Sequence, residues 1–223
     1  YGARHVILHE IIHEEVETLD GLDTSHELLL EAAEWKCEFS DQIHFLLSNH
    51  ELAQVNRHEI TKNGRVVTRV FEQSVEAAYG KEGPAVLDAM CAFMQSFALA
   101  GRTANRVFLS HSLPNPRDLP AFDVGVLERV PTARDLHASG PAHAIVWGRY
   151  HTESALKTLC ELLDVDFFIC GHQPQEDGYE IVHDRMVILA SEHNHGVFLT
   201  LDLSKPVTIE SLSRNIRPFA GVA

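Results

Sequence analysis

The sequence has few of the features that would place a protein in a membrane or outside the cell. No apolar run is long enough to span a bilayer, and no signal peptide is visible. The four cysteines show no C-x-x-C spacing, and we interpret them as buried free thiols of a reducing compartment. We therefore predict a cytoplasmic protein without membrane association.

Basic side chains are also few, since 18 Lys+Arg stand against 32 Asp+Glu and the formal net charge is -14. A protein that binds the phosphate backbone of DNA or RNA needs a basic surface. The charge therefore argues against a nucleic-acid partner. It leaves a phosphate-bearing substrate open, because a bound metal ion can invert the local charge.

Strand-like and helix-like segments alternate along most of the 223 residues, and a run of strands closes the chain. No repeat, low-complexity segment or linker divides the sequence, so we predict a single domain over residues 1–223. The order predicts an α/β domain of layered sheets covered by helices. The predicted strands are 4–12, 42–49, 105–112, 142–149, 166–174, YEIVHDRMVILAS and GVFLTLDLS, and the predicted helices are 25–37, 51–100 with a break near 80–84, and 152–165.

Residues with metal-ligating side chains follow four of the predicted strands. Glu10 follows VILH, Asn49 and His50 follow FLLS, His111 follows VFLS and His172 follows FFICG. In open α/β sheets the carboxyl ends of the strands line the ligand crevice. Carboxylate, amide oxygen and imidazole suit Mn, Fe or Zn. We therefore expect Glu10, Asn49, His111 and His172 to converge on one metal.

The same segments resemble motifs of the calcineurin-like metallophosphoesterases, most closely those of the serine/threonine protein phosphatase branch. SNHE resembles the family's G-N-H-E, and VFLSHS resembles the strand that leads into its H-G-G motif. CGHQPQEDGYEIV is similar to the late G-H-x-P segment, and VILASEHNHGVFLTLDL to the closing pair of strands. The blocks follow the family's order from Val6 to about Ser204. The resemblance implies a β-sandwich of mixed sheets flanked by helices.

The resemblance also implies an activity, the hydrolysis of a phosphate monoester by metal-activated water. The phosphorylated substrate would be a phosphoprotein or a small phosphate ester. Asn49, His111 and His172 would be metal ligands together with Glu10, and His50 would be the catalytic general acid. The cofactor would be a pair of divalent Mn, Fe or Zn ions in the full-length protein.

The segment VILHEIIHE departs from the family, which has G-D-x-x-D-R-G after its strand. Glu10 would replace the aspartate that bridges the metals, and His13 falls on the aspartate that orients the catalytic histidine. Glu14 falls on the arginine that grips phosphate, and we expect both His13 and Glu14 to be solvated. Arg149 follows the predicted strand 142–149, so we predict that it takes over the catalytic and substrate-binding role of that arginine.

A second departure concerns the family's first motif, G-D-x-H-G, which has no counterpart after Tyr1. We therefore expect an N-terminally truncated form of the domain in which the first strand and its metal ligands are missing. Such a chain would hold at most one metal ion tightly.

Two other functions fit parts of the sequence. HEIIH at residues 9–13 matches the zinc-peptidase pattern H-E-x-x-H, with Glu31 or Glu34 as a third ligand. That pattern requires a helix, whereas the segment has strand character. The other alternative is a catalytically impaired metal-binding relative, favoured by the altered segment around His13.

Overall fold

The computed structural model describes residues 4–13 and 21–221 and divides the chain into two compact units, Tyr1–Ala98 and Leu99–Ala223. Each unit has its own helices and strands. The five-stranded mixed sheet and the helices that accompany it confirm the predicted mixed α/β class. That both units belong to one domain remains a prediction.

The first unit is largely helical and contains a parallel pair of strands. Its strands β1 and β2 pair in parallel, with Val6 opposite Ile43 and His9 opposite Leu46. Both strands therefore end at the same edge, as the sequence predicts. The elements are β1 (Val6–His9), α1 (Ser25–Glu38), β2 (Ile43–Leu46), α2 (Asn49–Val55), β3 (Thr61–Lys62), β4 (Arg65–Val66), α3 (Val67–Tyr79) and α4 (Gly83–Gln95), with a 3-10 turn at Gly80–Glu82 between the last two.

Amphipathic helices build the core of this unit. Helix α3 buries Phe71 and Val75, four residues apart, and α4 buries Met90 and Met94 with the same spacing. Positions four apart lie on one face of a helix, so each helix presents an apolar stripe to the core. Phe45 of β2 is also buried, and its ring packs edge-on against Phe93 of α4, so the strand pair is part of this core.

The prediction of unbroken helix from residue 51 to about 80 was wrong, because a hairpin interrupts it. Strands β3 and β4 are joined by Asn63 and Gly64, which both have positive φ, 51° and 79°. Asn-Gly favours this backbone conformation in two-residue hairpin turns, since glycine has no Cβ and asparagine tolerates the left-handed region. The dipeptide was therefore a readable turn signal.

The second unit is built on a five-stranded sheet of order β5-β6-β7-β9-β8. Strand β6 pairs in parallel with β7, and β7 pairs in parallel with β9, whereas the edge strands are antiparallel. The elements are β5 (Ala100–Arg102), β6 (Val107–Ser110), α5 (Ala133–Leu136), α6 (Pro141–Trp147), α7 (Glu153–Leu163), β7 (Phe167–Cys170), β8 (Tyr179–Val182), β9 (Met186–Leu189), β10 (Val197–Leu199), α8 (Ile209–Arg214) and β11 (Ile216–Pro218).

Residues from three adjacent strands form a core cluster with the last helix. Val107, Ile169 and Val187 come from β6, β7 and β9, and Leu212 of α8 packs against them. Strands buried between covering elements are apolar throughout, which explains why they could be read from the sequence.

The predicted strand at 142–149 is instead the helix α6. Pro141 opens it, and its fixed φ suits the first helical position. Ala142, Ile145 and Val146 are buried at helical spacing. Short apolar runs with β-branched residues cannot be assigned by composition alone. Arg149 consequently follows a helix and not a strand.

No helix in the described part of the chain is both long and apolar enough to cross a bilayer.

Candidate functional site

The segment HEIIH forms a strand end and a loop. Strand β1 ends at His9, and the next residues leave extended geometry, with φ of 52° at Glu10 and 69° at His13. The two histidines therefore do not lie one turn apart on a helix, and the zinc-peptidase interpretation was wrong. Glu31 and Glu34, its suggested third ligands, are exposed on α1.

A fully buried carboxylate holds the loop after Glu10. The Oε1 atom of Glu51 accepts a hydrogen bond from the Ile11 backbone N–H at 2.7 Å. Its Oε2 atom accepts from the Ser48 N–H at 3.2 Å and from the Ser48 hydroxyl. Ser48 in turn caps α2, so the capping box also fixes the first helical residue, Asn49, which is buried. Burial raises the pKa of Glu51, and its hydrogen bonds partly oppose that rise.

His50 lies between two side chains of the loop. Its Nε2 atom is 3.4 Å from Glu10 Oε1, and its Nδ1 atom is 2.9 Å from Nδ1 of His13. His13 is buried and not solvated, which corrects the expectation for this residue. Burial lowers the pKa of His13, with a smaller opposing effect from its hydrogen bond to Gln54. Glu14 lies outside the described residues.

The sequence interpretation missed Gln54, which is completely buried on α2. Its Oε1 atom is 3.0 Å from His13 Nε2, and its Nε2 atom donates to Glu72 Oε1 at 3.2 Å. Gln54 follows His50 by four residues, and that spacing places both on one face of a helix. The spacing was the available signal, but the contact with His13 is tertiary and has no counterpart in the sequence.

In the second unit, His111 and His172 meet at the ends of two neighbouring strands. Strands β6 and β7 are parallel, and His111 Nε2 lies 3.0 Å from His172 Nδ1. The Gly171 N–H donates to the His111 carbonyl oxygen at 3.1 Å, and His172 has a φ of 69°. Left-handed backbone is uncommon outside glycine and occurs often at functional sites.

Cys170, two residues before His172, is buried. Burial raises the pKa of Cys170 to about 12, so its thiol stays protonated near neutral pH. In this state it does not act as a thiolate nucleophile. The four cysteines form no disulfide, and Cys160 is buried too, but Cys37 is exposed, contrary to the expectation that all four are buried.

Arg149 lies in the segment between α6 and α7. Its side chain is exposed, and its backbone N–H donates to Asn115 Oδ1 at 3.1 Å. Two residues later, His151 is buried, with no hydrogen-bond partner for either ring nitrogen among residues 4–13 and 21–221. Burial lowers its pKa to about 4. From the sequence, His151 lies near the proposed crevice, but no motif there indicates that it is buried.

The structure brings the predicted site residues together in two groups. Glu10 and His50 are in contact in the first unit, and Asn49 begins the helix that carries His50. His111 and His172 are in contact in the second unit.

No family model matches the sequence, and no curated protein matches it. Solved structures with a similar fold include a protein serine/threonine phosphatase from Saccharomyces cerevisiae with similarity to human phosphatase PP5, at a TM-score of 0.58 and 12% identity. The match covers 78% of this chain but only 56% of that one. A cold-active protein-tyrosine phosphatase of a psychrophile Shewanella sp. matches at a TM-score of 0.52 and 12% identity, over 84% of this chain and 71% of that one. The chain therefore has a fold similar to that of protein phosphatases.

Proposed function

We propose that this chain is a metal-dependent phosphoesterase of the calcineurin-like superfamily, akin to its serine/threonine protein phosphatase branch. The observation that carries the proposal is the placement of His50, held at Nδ1 by His13 and facing the Glu10 carboxylate with Nε2. In the family that the sequence resembles, the residue at the position of His13 orients the catalytic histidine. The fold likeness to two solved phosphatases supports the same conclusion.

The donors suit a divalent transition metal. We assign Glu10, Asn49, His111 and His172 as its ligands, a set of one carboxylate, one amide oxygen and two imidazoles, which fits Mn, Fe or Zn. Two imidazole nitrogens that each lie ~2.1 Å from one ion are roughly 3.0 Å apart at a right angle and roughly 3.4 Å apart at the tetrahedral angle. The 3.0 Å separation of His111 Nε2 and His172 Nδ1 fits the right-angled arrangement. When bound, the metal would lower the pKa of a water nucleophile and neutralise charge on the phosphoryl oxygens.

The chain's own residues supply the proton and the positioning. His50 holds a proton at Nε2 and gives it to the departing oxygen of the ester, a role worth ~10²–10⁴-fold in rate. Glu51 fixes the backbone on both sides, because it binds the loop after Glu10 and the cap of the helix that carries His50. The exposed guanidinium of Arg149 is assigned to the substrate phosphate.

The substrate is proposed to be a phosphoprotein or a small phosphate ester, and the net charge of -14 disfavours nucleic-acid backbones. The cysteines form no disulfide, which supports a reducing, cytoplasmic location.

The experiment is a metal-reconstitution assay. The protein is stripped with a chelator, reloaded with Mn²⁺, Fe²⁺ or Zn²⁺, and tested on nitrophenyl phosphate, an alkyl phosphate and a phosphopeptide. We expect activity to return with metal. The variants N49A and H111A should lower metal content and activity together, whereas H58A, which removes an exposed imidazole, should change neither.

Two results would contradict the proposal. Full activity in the stripped protein would exclude metal dependence. Tight metal binding without hydrolysis of any of the three substrates would identify a catalytically impaired relative.

A further inference from the structure

The hydrogen bonds around His13 determine where its protons lie. Gln54 donates from Nε2 to the carboxylate of Glu72, so its amide oxygen is the atom that faces His13 Nε2. A carbonyl oxygen only accepts hydrogen bonds. His13 must therefore carry a hydrogen on Nε2.

The tautomer of His13 also determines which nitrogen of His50 is the hydrogen-bond donor. Burial lowers the pKa of His13, so the ring is neutral near pH 7 and carries a single N–H. With that hydrogen on Nε2, its Nδ1 atom is an acceptor. The partner 2.9 Å away is Nδ1 of His50, which must then be the donor. Nε2 of His50 then faces Glu10 Oε1 at 3.4 Å.

We propose that Gln54 is a positioning residue that sets the tautomer of His13 and thereby holds His50 with Nδ1 as the hydrogen-bond donor and Nε2 toward Glu10. Its catalytic consequence, that Nε2 of His50 is oriented for proton transfer, rests on the proposed function, whereas the tautomers do not. An imidazolium at His50 has N–H groups on both nitrogens, so its Nδ1 needs an acceptor. The Nε2–H tautomer of neutral His13 offers one at Nδ1.

Loss of the Gln54 amide should reverse the arrangement. Without an acceptor, a hydrogen on His13 Nε2 would be a buried, unsatisfied donor, which is unfavourable. The hydrogen should move to Nδ1 of His13, which then donates to His50. Neutral His50 would then carry its hydrogen on Nε2. In the imidazolium form of His50, the Nδ1–H would point at the Nδ1–H of His13.

The test compares ¹⁵N spectra of the histidine rings, which separate protonated from bare nitrogens, in the whole chain near pH 7. The variant Q54M keeps the length of the side chain but removes the amide. The double variant Q54E with E72Q exchanges the two side chains, so a carboxylate accepts from His13 and an amide donates to it from position 72. The control Q73M makes the same change at an exposed site on α3.

The wild type should show His13 protonated at Nε2 and neutral His50 at Nδ1. Q54M should reverse both assignments and lower kcat on an alkyl phosphate by at least ~10-fold, a loss smaller than the ~10²–10⁴-fold attributed to general acid catalysis as a whole, with KM little changed. The double variant should restore the wild-type pattern, and Q73M should retain it.

Wild-type His13 protonated at Nδ1 would overturn the inference without any variant. The inference can therefore be refuted even if the Q54M chain does not fold. Unchanged tautomers in a folded Q54M chain would also overturn it, as would reversed tautomers with an unchanged kcat. The predicted tautomers in a wild-type chain that hydrolyses none of the esters would support the assignment and contradict the proposed function instead.

Discussion

His151 should make the folded protein sensitive to mild acid. A histidine has an ordinary pKa of 6.5, and burial lowers that of His151 to about 4. Between these values the unfolded chain binds a proton that the folded chain excludes. The free energy of unfolding therefore falls as the pH decreases from 6.5 to about 4. Above 6.5 the imidazole is neutral in both states, and His151 imposes no penalty on the folded protein.

The size of the effect follows from the two pKa values. Each unit of pKa difference is worth ~1.36 kcal/mol, so the change from 6.5 to about 4 corresponds to ~3 kcal/mol. That is a large share of the ~5–15 kcal/mol by which folded domains are stable. Replacement of the imidazole by an apolar side chain, as in H151L, removes this term.

The assay is urea unfolding at a series of pH values between 7.5 and 4, followed by circular dichroism. Other titrating groups contribute equally to both proteins, so the difference between wild type and H151L isolates His151. The H151L chain should lose ~3 kcal/mol less than the wild type over this range. H58L, at an exposed histidine, should follow the wild type. Parallel curves for wild type and H151L would refute the reasoning.

Two further predictions concern the backbone around the candidate site. In G148A the added methyl carbon would lie 1.7 Å from the Leu113 carbonyl oxygen, so we expect the free energy of unfolding to fall by more than ~2 kcal/mol, measured by urea unfolding. In the control G101A the added carbon meets no atom within 4 Å, and the loss should be ~1 kcal/mol or less. In S48A the cap of α2 is lost, which should cost ~1–2 kcal/mol, while S40A, at an exposed serine, should cost much less; equal losses in the two serine variants would contradict the capping role.

The parts of the fold that the sequence predicted are those with the strongest local signal. Strands β1, β2, β6 and β7 are short apolar runs that stop at polar residues, and α7 has clear helical spacing. Helix α6 was not predictable in this way, because its apolar residues suit either a strand or a helix. Pro141 at the first helical position favours a helix, but the sequence alone did not show that this signal was stronger than the β-branched composition.

The candidate site was predictable in its residue types and not in its connections. A donor after a strand can be read from the chain, as for Glu10, His111 and His172. The burial of His13 depends on tertiary packing against residues such as Phe71, and its contact with His50 joins residues 37 positions apart. Pairings of that kind leave no periodicity in the sequence, so the hydrogen bonds from Gln54 through His13 to His50 were found only in the structure.

The most direct test of the proposed function is the kinetics of H50N on two substrates, with metal content measured on the same samples. The His50 proton should matter most for an alkyl phosphate, whose leaving oxygen needs protonation, and kcat should fall ~10²–10⁴-fold. The loss should be much smaller for nitrophenyl phosphate, and the metal content should be unchanged. Equal losses on both substrates, accompanied by loss of metal, would show that His50 is a ligand and would contradict the proposed mechanism.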